Sequence, residues 1–322
     1  MSKKNKDNQK KCENINTCST NLAVGGQALI EGIMMKNSDI TAIAVRKLDG
    51  EIVTKVDKAN SKSITLKLKK VPFLRGVINF FSSMVEGTKA LMFSAKFFDV
   101  EETEKEKAKR EAKNKPKEDI SDETKDIVIY VSVVLGLLLS IGLFIILPNL
   151  ISTFIVPTEN VKLYNVVESV VKFTIFIGYI VLVAQMKDIK RVFEYHGAEH
   201  KTIFCYENNL ELTVENVKKQ QRFHPRCGTN FMIIVLIISV IVFSIIGRST
   251  NIFINIGYRL LLLPVIAGIS YEFIRFLGKT KNRFFKIFAK PGLWLQRITT
   301  REPDEEQIEV AIKALKLAMG ME

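Results

Sequence analysis

Residues 127–147 read IVIYVSVVLGLLLSIGLFIIL, 21 consecutive positions without a charge, and no other feature limits the fold of this chain so strongly. A helix of that length rises about 30 Å, the thickness of a bilayer's hydrocarbon core. Three further apolar blocks follow. Val166–Met186 carries Glu168 and Lys172 near its start and no charge from Phe173 onward; Phe231–Gly247 is charge-free; Leu260–Tyr271 is bounded by Arg259, Glu272 and Arg275. The last two are short for a crossing, but together the blocks predict a four-span membrane domain over residues 127–278.

The net charge of +13 suits anionic lipid, nucleic acid or topology signalling, so the placement of the basic residues decides its meaning. Eight Lys or Arg lie in 101–126 and eight in the 187–230 loop, whereas 148–165 holds only Lys162 and 248–258 only Arg248. Because Lys and Arg accumulate in short cytoplasmic loops, a multi-pass cell-membrane protein with both termini and the 187–230 loop in the cytoplasm is expected.

The remaining segments frame that domain. Residues 1–21 are polar and lysine-rich without an apolar stretch, the composition of a disordered tail and not of a secretory signal. Residues 22–100 read as a cytoplasmic element, with strands at Ile40–Arg46, Ile52–Val56 and Ile64–Leu68 and a turn at Asp49-Gly50. Its end, Val71–Phe98, is Phe- and Leu-rich but interrupted by Arg75, Glu86, Lys89 and Lys96, which fits an interfacial amphipathic helix or a helix buried in the soluble part. Residues 101–126 have almost nothing to bury and form a charged linker. Residues 279–322 begin basic and aromatic, suited to anionic headgroups, and end in an amphipathic C-terminal helix opened by Pro303 and Asp304. Membrane lipid is the partner these segments imply; nucleic acid is the weaker reading.

Chemistry points to the middle loop. The chain has three histidines, and all lie there: His196 and His200 in H-G-A-E-H, and His224 in H-P-R-C with Cys227. On a helix His196 and His200 are one turn apart, a spacing at which two imidazoles can hold one Zn²⁺. Glu199 stands where the order H-x-x-E-H puts a general base acting on the water that a metal activates. Four ligands, His196, His200, His224 and Cys227, would close a tetrahedral structural site, while a site without Cys227 would leave a position for water. Without a metal, the histidines would hydrogen-bond each other and headgroups. Glu194 and Arg226 are candidates to orient a ligand or hold an anionic group. Cys12, Cys18, Cys205 and Cys227 are too few and scattered for a disulfide framework.

GGQALIEGIMMKN at 25–37, YHGAEHKTIFCYE at 195–207, HPRCGTNF at 224–231 and PGLWLQRITTREPDEEQIEVAIKAL at 291–315 together resemble the YqhQ-type family of bacterial membrane proteins. The resemblance implies metal-dependent enzymes of unassigned activity, with His196, Glu199, His200, His224 and Cys227 in the characteristic set. It also draws attention to Gly25, Gly26, Gln27, Glu31 and Arg75. Glu31 could add a carboxylate to the site, although a turn followed by a strand is the simpler reading of the Gly-Gly segment. Glu272 with Arg275 reads as a local ion pair. Three functions remain open: a membrane-embedded metal-dependent hydrolase with a divalent ion such as zinc, a scaffold or regulator with a structural zinc, and a transporter, for which the spans offer few polar residues.

Overall fold

A computed structural model describes residues 24–37, 40–58, 71–98, 122–156, 160–225, 227–246, 252–279 and 287–322. The expected tail 1–21, the strand at Ile64–Leu68, nearly all of the linker 101–126, and Arg226, Cys12 and Cys18 lie outside the described residues.

Four strands, β1 (Val24–Leu29), β2 (Gly32–Asn37), β3 (Ile40–Arg46) and β4 (Ile52–Lys58), form an antiparallel meander in chain order. The Asp49-Gly50 turn forms as expected, with Gly50 at φ 86°, where only glycine is unstrained. Gly25 and Gly26 do not make a turn: they lie within β1, paired with Lys36 and Met35. Alternation along the strands sends Ile33, Met35, Ala42 and Ala44 to one face and Leu29, Met34, Ile43 and Val45 to the other, and both faces are covered.

The helices are α1 (Leu74–Ala95), α2 (Asp122–Ile141), α3 (Leu147–Ile155), α4 (Val161–Val183), α5 (Lys187–Glu207), α6 (Val214–Lys218), α7 (Gly228–Ile246), α8 (Ile252–Lys279), α9 (Lys290–Thr299) and α10 (Glu305–Met319). A π-helical turn, Gly142–Ile146, joins α2 to α3. Among the described residues, four stretches are long and apolar enough to cross a membrane: Tyr130–Ile155, Leu163–Val183, Gly228–Ile245 and Ile254–Leu277. The last two are longer than the charge-free runs at 231–247 and 260–271, because flanking polar residues continue each helix and find partners in the fold. Glu272 is one of these: its carboxylate pairs with Arg75 of α1, Nε–Oε1 2.6 Å, and takes the Phe73 N–H, so its partner is remote in sequence rather than the neighbouring Arg275.

That pair fixes α1 to α8, where Gly76 lies against Gly268 and Tyr271. Further along, Ala90, Phe93, Phe97 and Phe98 cover the second face of the sheet. The helix is thus buried on one stripe, while Phe81, Met84, Val85 and Leu91 remain exposed.

The first sheet face packs on α5 and α10, with Tyr195, Ala198, Ile203, Ile308, Ala311 and Leu315 in one core. The C-terminal helix is specified locally by an Asp304–Gln307 capping box at its start and by Gly320, at φ 66°, at its end. Leu315 is completely buried, so Leu315→Ala removes its contacts and leaves a cavity. Thermal unfolding of the solubilised variant should show a loss of about 2–5 kcal/mol; an unchanged midpoint would mean that α10 is not seated on the sheet.

Candidate metal centre

The chain does not run straight from α4 into the histidine helix. A turn at 184–186 ends α4, and α5 starts after Met186, whose ψ of 137° is extended. One side of α5 is committed to the core by Tyr195, Ala198, Ile203 and Cys205, and the side carrying His196 and His200 turns toward the start of α7 and the end of α9.

Each imidazole is held by a backbone carbonyl. His196 Nδ1 lies 2.8 Å from the oxygen of Thr299, and His200 Nδ1 lies 2.5 Å from that of Arg222. A carbonyl can only accept, so both Nδ1 atoms carry a hydrogen, and in the neutral imidazoles both Nε2 atoms present lone pairs. Burial favours the neutral form of His200 by pushing its pKa below the ordinary histidine value. His196 Nε2 is 3.1 Å from Cys227 Sγ, and the ligand atoms of His196, His200 and Cys227 all lie within 4.8 Å of one another. His200 Nε2 is buried with no hydrogen-bond partner. Cys227 immediately precedes α7, and its sulfur receives the Thr229 N–H at 3.4 Å.

Two imidazole nitrogens and one sulfur suit Zn²⁺. An ion at their convergence would use both lone pairs, and the carbonyl-bound Nδ1 atoms are the usual support of metal-ligating histidines. The residues present therefore fit a divalent soft-to-borderline ion, with three protein donors.

His224 is buried beside this group and not within it. Its ring centroid is 5.7 Å from that of His200, and its Nε2 is 3.5 Å from Glu207 Oε2. Its backbone is clamped by the fully buried Gln296, which accepts from His224 N and donates to His224 O, each at 2.8 Å. Of the four expected ligands, it is His224 and not Cys227 that stands apart.

Glu199 is buried against β1. Its carboxylate fills the space a side chain at position 26 would need: a Cβ on Gly26 would lie 2.8 Å from Glu199 Cδ. The Gly26 N–H supports the carboxylate, yet Oε2 has no partner; burial raises its pKa to about 7, opposed by the nearby His196 and the Gly26 hydrogen bond.

Glu31, Glu194, Lys201 and Cys205 make contacts with neighbouring elements. Glu31 binds Arg191, Nη2–Oε2 2.6 Å, and accepts from the Tyr195 hydroxyl at 3.2 Å. Burial, aided by the Glu31 carboxylate, raises the Tyr195 pKa. Glu194 accepts from Gln307 of α10 at 3.0 Å. Lys201 donates to the Lys218 carbonyl and pairs with Glu302 at 2.7 Å. Cys205 is buried in the α5–α10 core, with its thiol 3.4 Å from the Glu211 carbonyl.

Sequence reasoning missed Gln296 and Thr299, because 291–299 read as a basic juxtamembrane segment; its resemblance to a recurring motif was the one available signal. It also missed the role of Gly197, where any Cβ would collide with the Arg301 carbonyl. Gln296→Ala would strip partners from two buried backbone groups, a loss of about 2 kcal/mol or more. Lowered thermal stability with unchanged helix content is the expected result; an unaltered unfolding midpoint would show that the clamp does not support His224.

Comparison with known proteins places the chain without naming its activity. A family model described as "Protein of unknown function (DUF1385)" matches residues 71–321, which include His196, Glu199, His200, His224 and Cys227 and leave out the four strands. The "Uncharacterized protein YqhQ" of Bacillus subtilis (strain 168) is 34% identical over 307 residues, covering 93% of each chain. No solved structure matches. With the match extending over both the histidine helix and the C-terminal segment that braces it, this chain belongs to the YqhQ family of proteins of unknown function.

Proposed function

We propose that this protein is a membrane-embedded, metal-dependent hydrolase whose site faces the cytoplasm. The observation that carries the metal reading is the convergence of two carbonyl-locked Nε2 lone pairs on the Cys227 sulfur. His196, His200 and Cys227 would hold one divalent ion, zinc by the chemistry of the donors, and three protein donors leave one tetrahedral position for water or substrate. The ion would supply Lewis acidity toward both.

Glu199 is the residue proposed to move the proton. Its unpartnered Oε2 can accept one from an attacking water and return it to the leaving group, while Gly26 holds the carboxylate in place. The carbonyls of Thr299 and Arg222 keep the imidazoles oriented.

The membrane reading is supported by the outer surface of the four apolar helices. Leu139, Leu182, Ile245 and Leu261 point outward, and so broad an apolar exterior requires lipid or protein cover. The bias of Lys and Arg toward 101–126 and 187–230 supports a cytoplasmic position for the metal centre and both termini. Reporter fusions after Glu322 and within 157–159 should therefore report opposite sides; equal cytoplasmic signals would sink this topology.

A structural zinc in a scaffold protein is the second reading. It is favoured by the closeness of His224, which could complete a four-ligand site. Metal analysis of the purified protein separates the two. About one ion per chain is expected, lost in His200→Ala and Cys227→Ser and retained in His224→Ala and Glu199→Gln. Glu199→Gln should fail to complement a deletion of the gene despite its metal. Full complementation by that variant would leave the scaffold reading standing, and wild-type protein without stoichiometric metal would end both.

A further inference from the structure

The opposite end of the helical bundle holds a second charged cluster that the metal centre does not use. Glu168 of α4 forms a two-pronged pair with Arg259 of α8, and Lys172, one turn further along α4, lies 3.8 Å from Glu168. Phe243 of α7 sits beneath both cations, its ring centroid 5.0 Å from Lys172 Nζ and 5.3 Å from Arg259 Cζ. Counting along α7 from Cys227 to Phe243 puts this cluster about 24 Å from the metal centre.

The charges do not balance. One carboxylate faces two cations, and both carboxylate oxygens are engaged by the Arg259 guanidinium. Lys172 therefore shares, at the longer distance of 3.8 Å, a carboxylate that the Arg259 guanidinium already occupies. Its side chain is only 11% exposed, Arg259 8% and Glu168 5%. Lys172 is the tenth residue of the 21-residue stretch Leu163–Val183, hence near the middle of an apolar segment. One carboxylate shared by two cations leaves a net positive charge there, which is expensive, and the Lys172 side chain has three N–H donors to satisfy.

The surroundings are polar enough to receive an anion. Asn165 and Asn255 lie about one turn before Glu168 and Arg259, Ser239 one turn before Phe243, and all three are buried. Nearby on α3, Asn149 is buried with neither side-chain atom bonded, while its backbone carbonyl takes the hydroxyl of Tyr164, one turn before Glu168.

We propose that Lys172 and Arg259 form an anion site between α4, α7 and α8 for a phosphate-class oxyanion, either a lipid headgroup or a free ion. The oxyanion completes the hydrogen bonding of Lys172 and cancels the excess charge; Glu168 holds Arg259 in place, and Phe243 forms the apolar floor. This site stands independently of the metal centre.

The test is thermal unfolding of the full-length chain, first in detergent with increasing inorganic phosphate, then in phosphatidylcholine nanodiscs with or without phosphatidylglycerol. Stabilisation of the wild type by phosphate identifies a free anion, and stabilisation by phosphatidylglycerol alone identifies the headgroup. Either response should weaken about tenfold or more in Lys172→Met, as expected for loss of a charge-assisted hydrogen bond, and persist in Lys172→Arg. Lys172→Gln, which keeps a polar end without the charge, serves if the methionine variant does not fold. A wild type indifferent to both probes, or equal responses in wild type and the neutral variants, would overturn the proposal.

Discussion

The hydrogen bond between His196 Nδ1 and the Thr299 carbonyl joins two segments more than a hundred residues apart, and the arrangement of the candidate site depends on it. It sets the tautomer of His196 and turns Nε2 toward Cys227. The same stretch of chain supplies Gln296, which grips the backbone of His224, and the Arg301 N–H, which bonds to the Phe193 carbonyl at 2.8 Å. Gly197 permits that approach because a side chain there would strike Arg301. The end of α9 is therefore the brace against which both halves of the histidine pattern are aligned. A brace made of backbone atoms is well suited to the purpose, since a carbonyl in a packed helix end has little freedom to move.

Helix α5 connects this site to the sheet. Its core side is built from Tyr195, Ala198, Ile203 and Cys205, and its other side carries the imidazoles. Glu199 lies between these two commitments and meets β1 at Gly26, the point where the absence of a side chain leaves room for a buried carboxylate. The sheet, although outside the stretch matched by the family model, thus packs directly on Glu199. Burying a carboxylate with one unpartnered oxygen costs stability, and its retention beside a convergent donor set is what gives the hydrolytic reading its force.

Several features were legible from local pattern. The uncharged run at 127–147 required a long apolar helix, the alternation in 40–46 and 52–56 with Asp49-Gly50 required a hairpin, and Pro303-Asp304 marked the approach to the final helix. The spacing of His196 and His200 put both on one helical face. Other features depended on partners distant in sequence. Glu272 was read with its neighbour Arg275, but packing of α1 brought Arg75 to it. Gly25-Gly26 was read as a turn, because sequence does not reveal that a carboxylate from another element fills the space over a strand. Thr299 contributes through its backbone oxygen, and a carbonyl has no residue signature.

The sequence by itself determined which segments are helices long and apolar enough to span a bilayer, where the hairpin turns, and that the histidines and Cys227 belong to one region. Periodicity, turn chemistry and a scarce residue type carry that information locally. Only the tertiary structure decided that His196, His200 and Cys227 converge while His224 stands beside them, and that Lys172 and Arg259 share the single carboxylate of Glu168. Those outcomes are set by distances between elements and by which backbone atoms meet them, quantities that arise only when the helices pack.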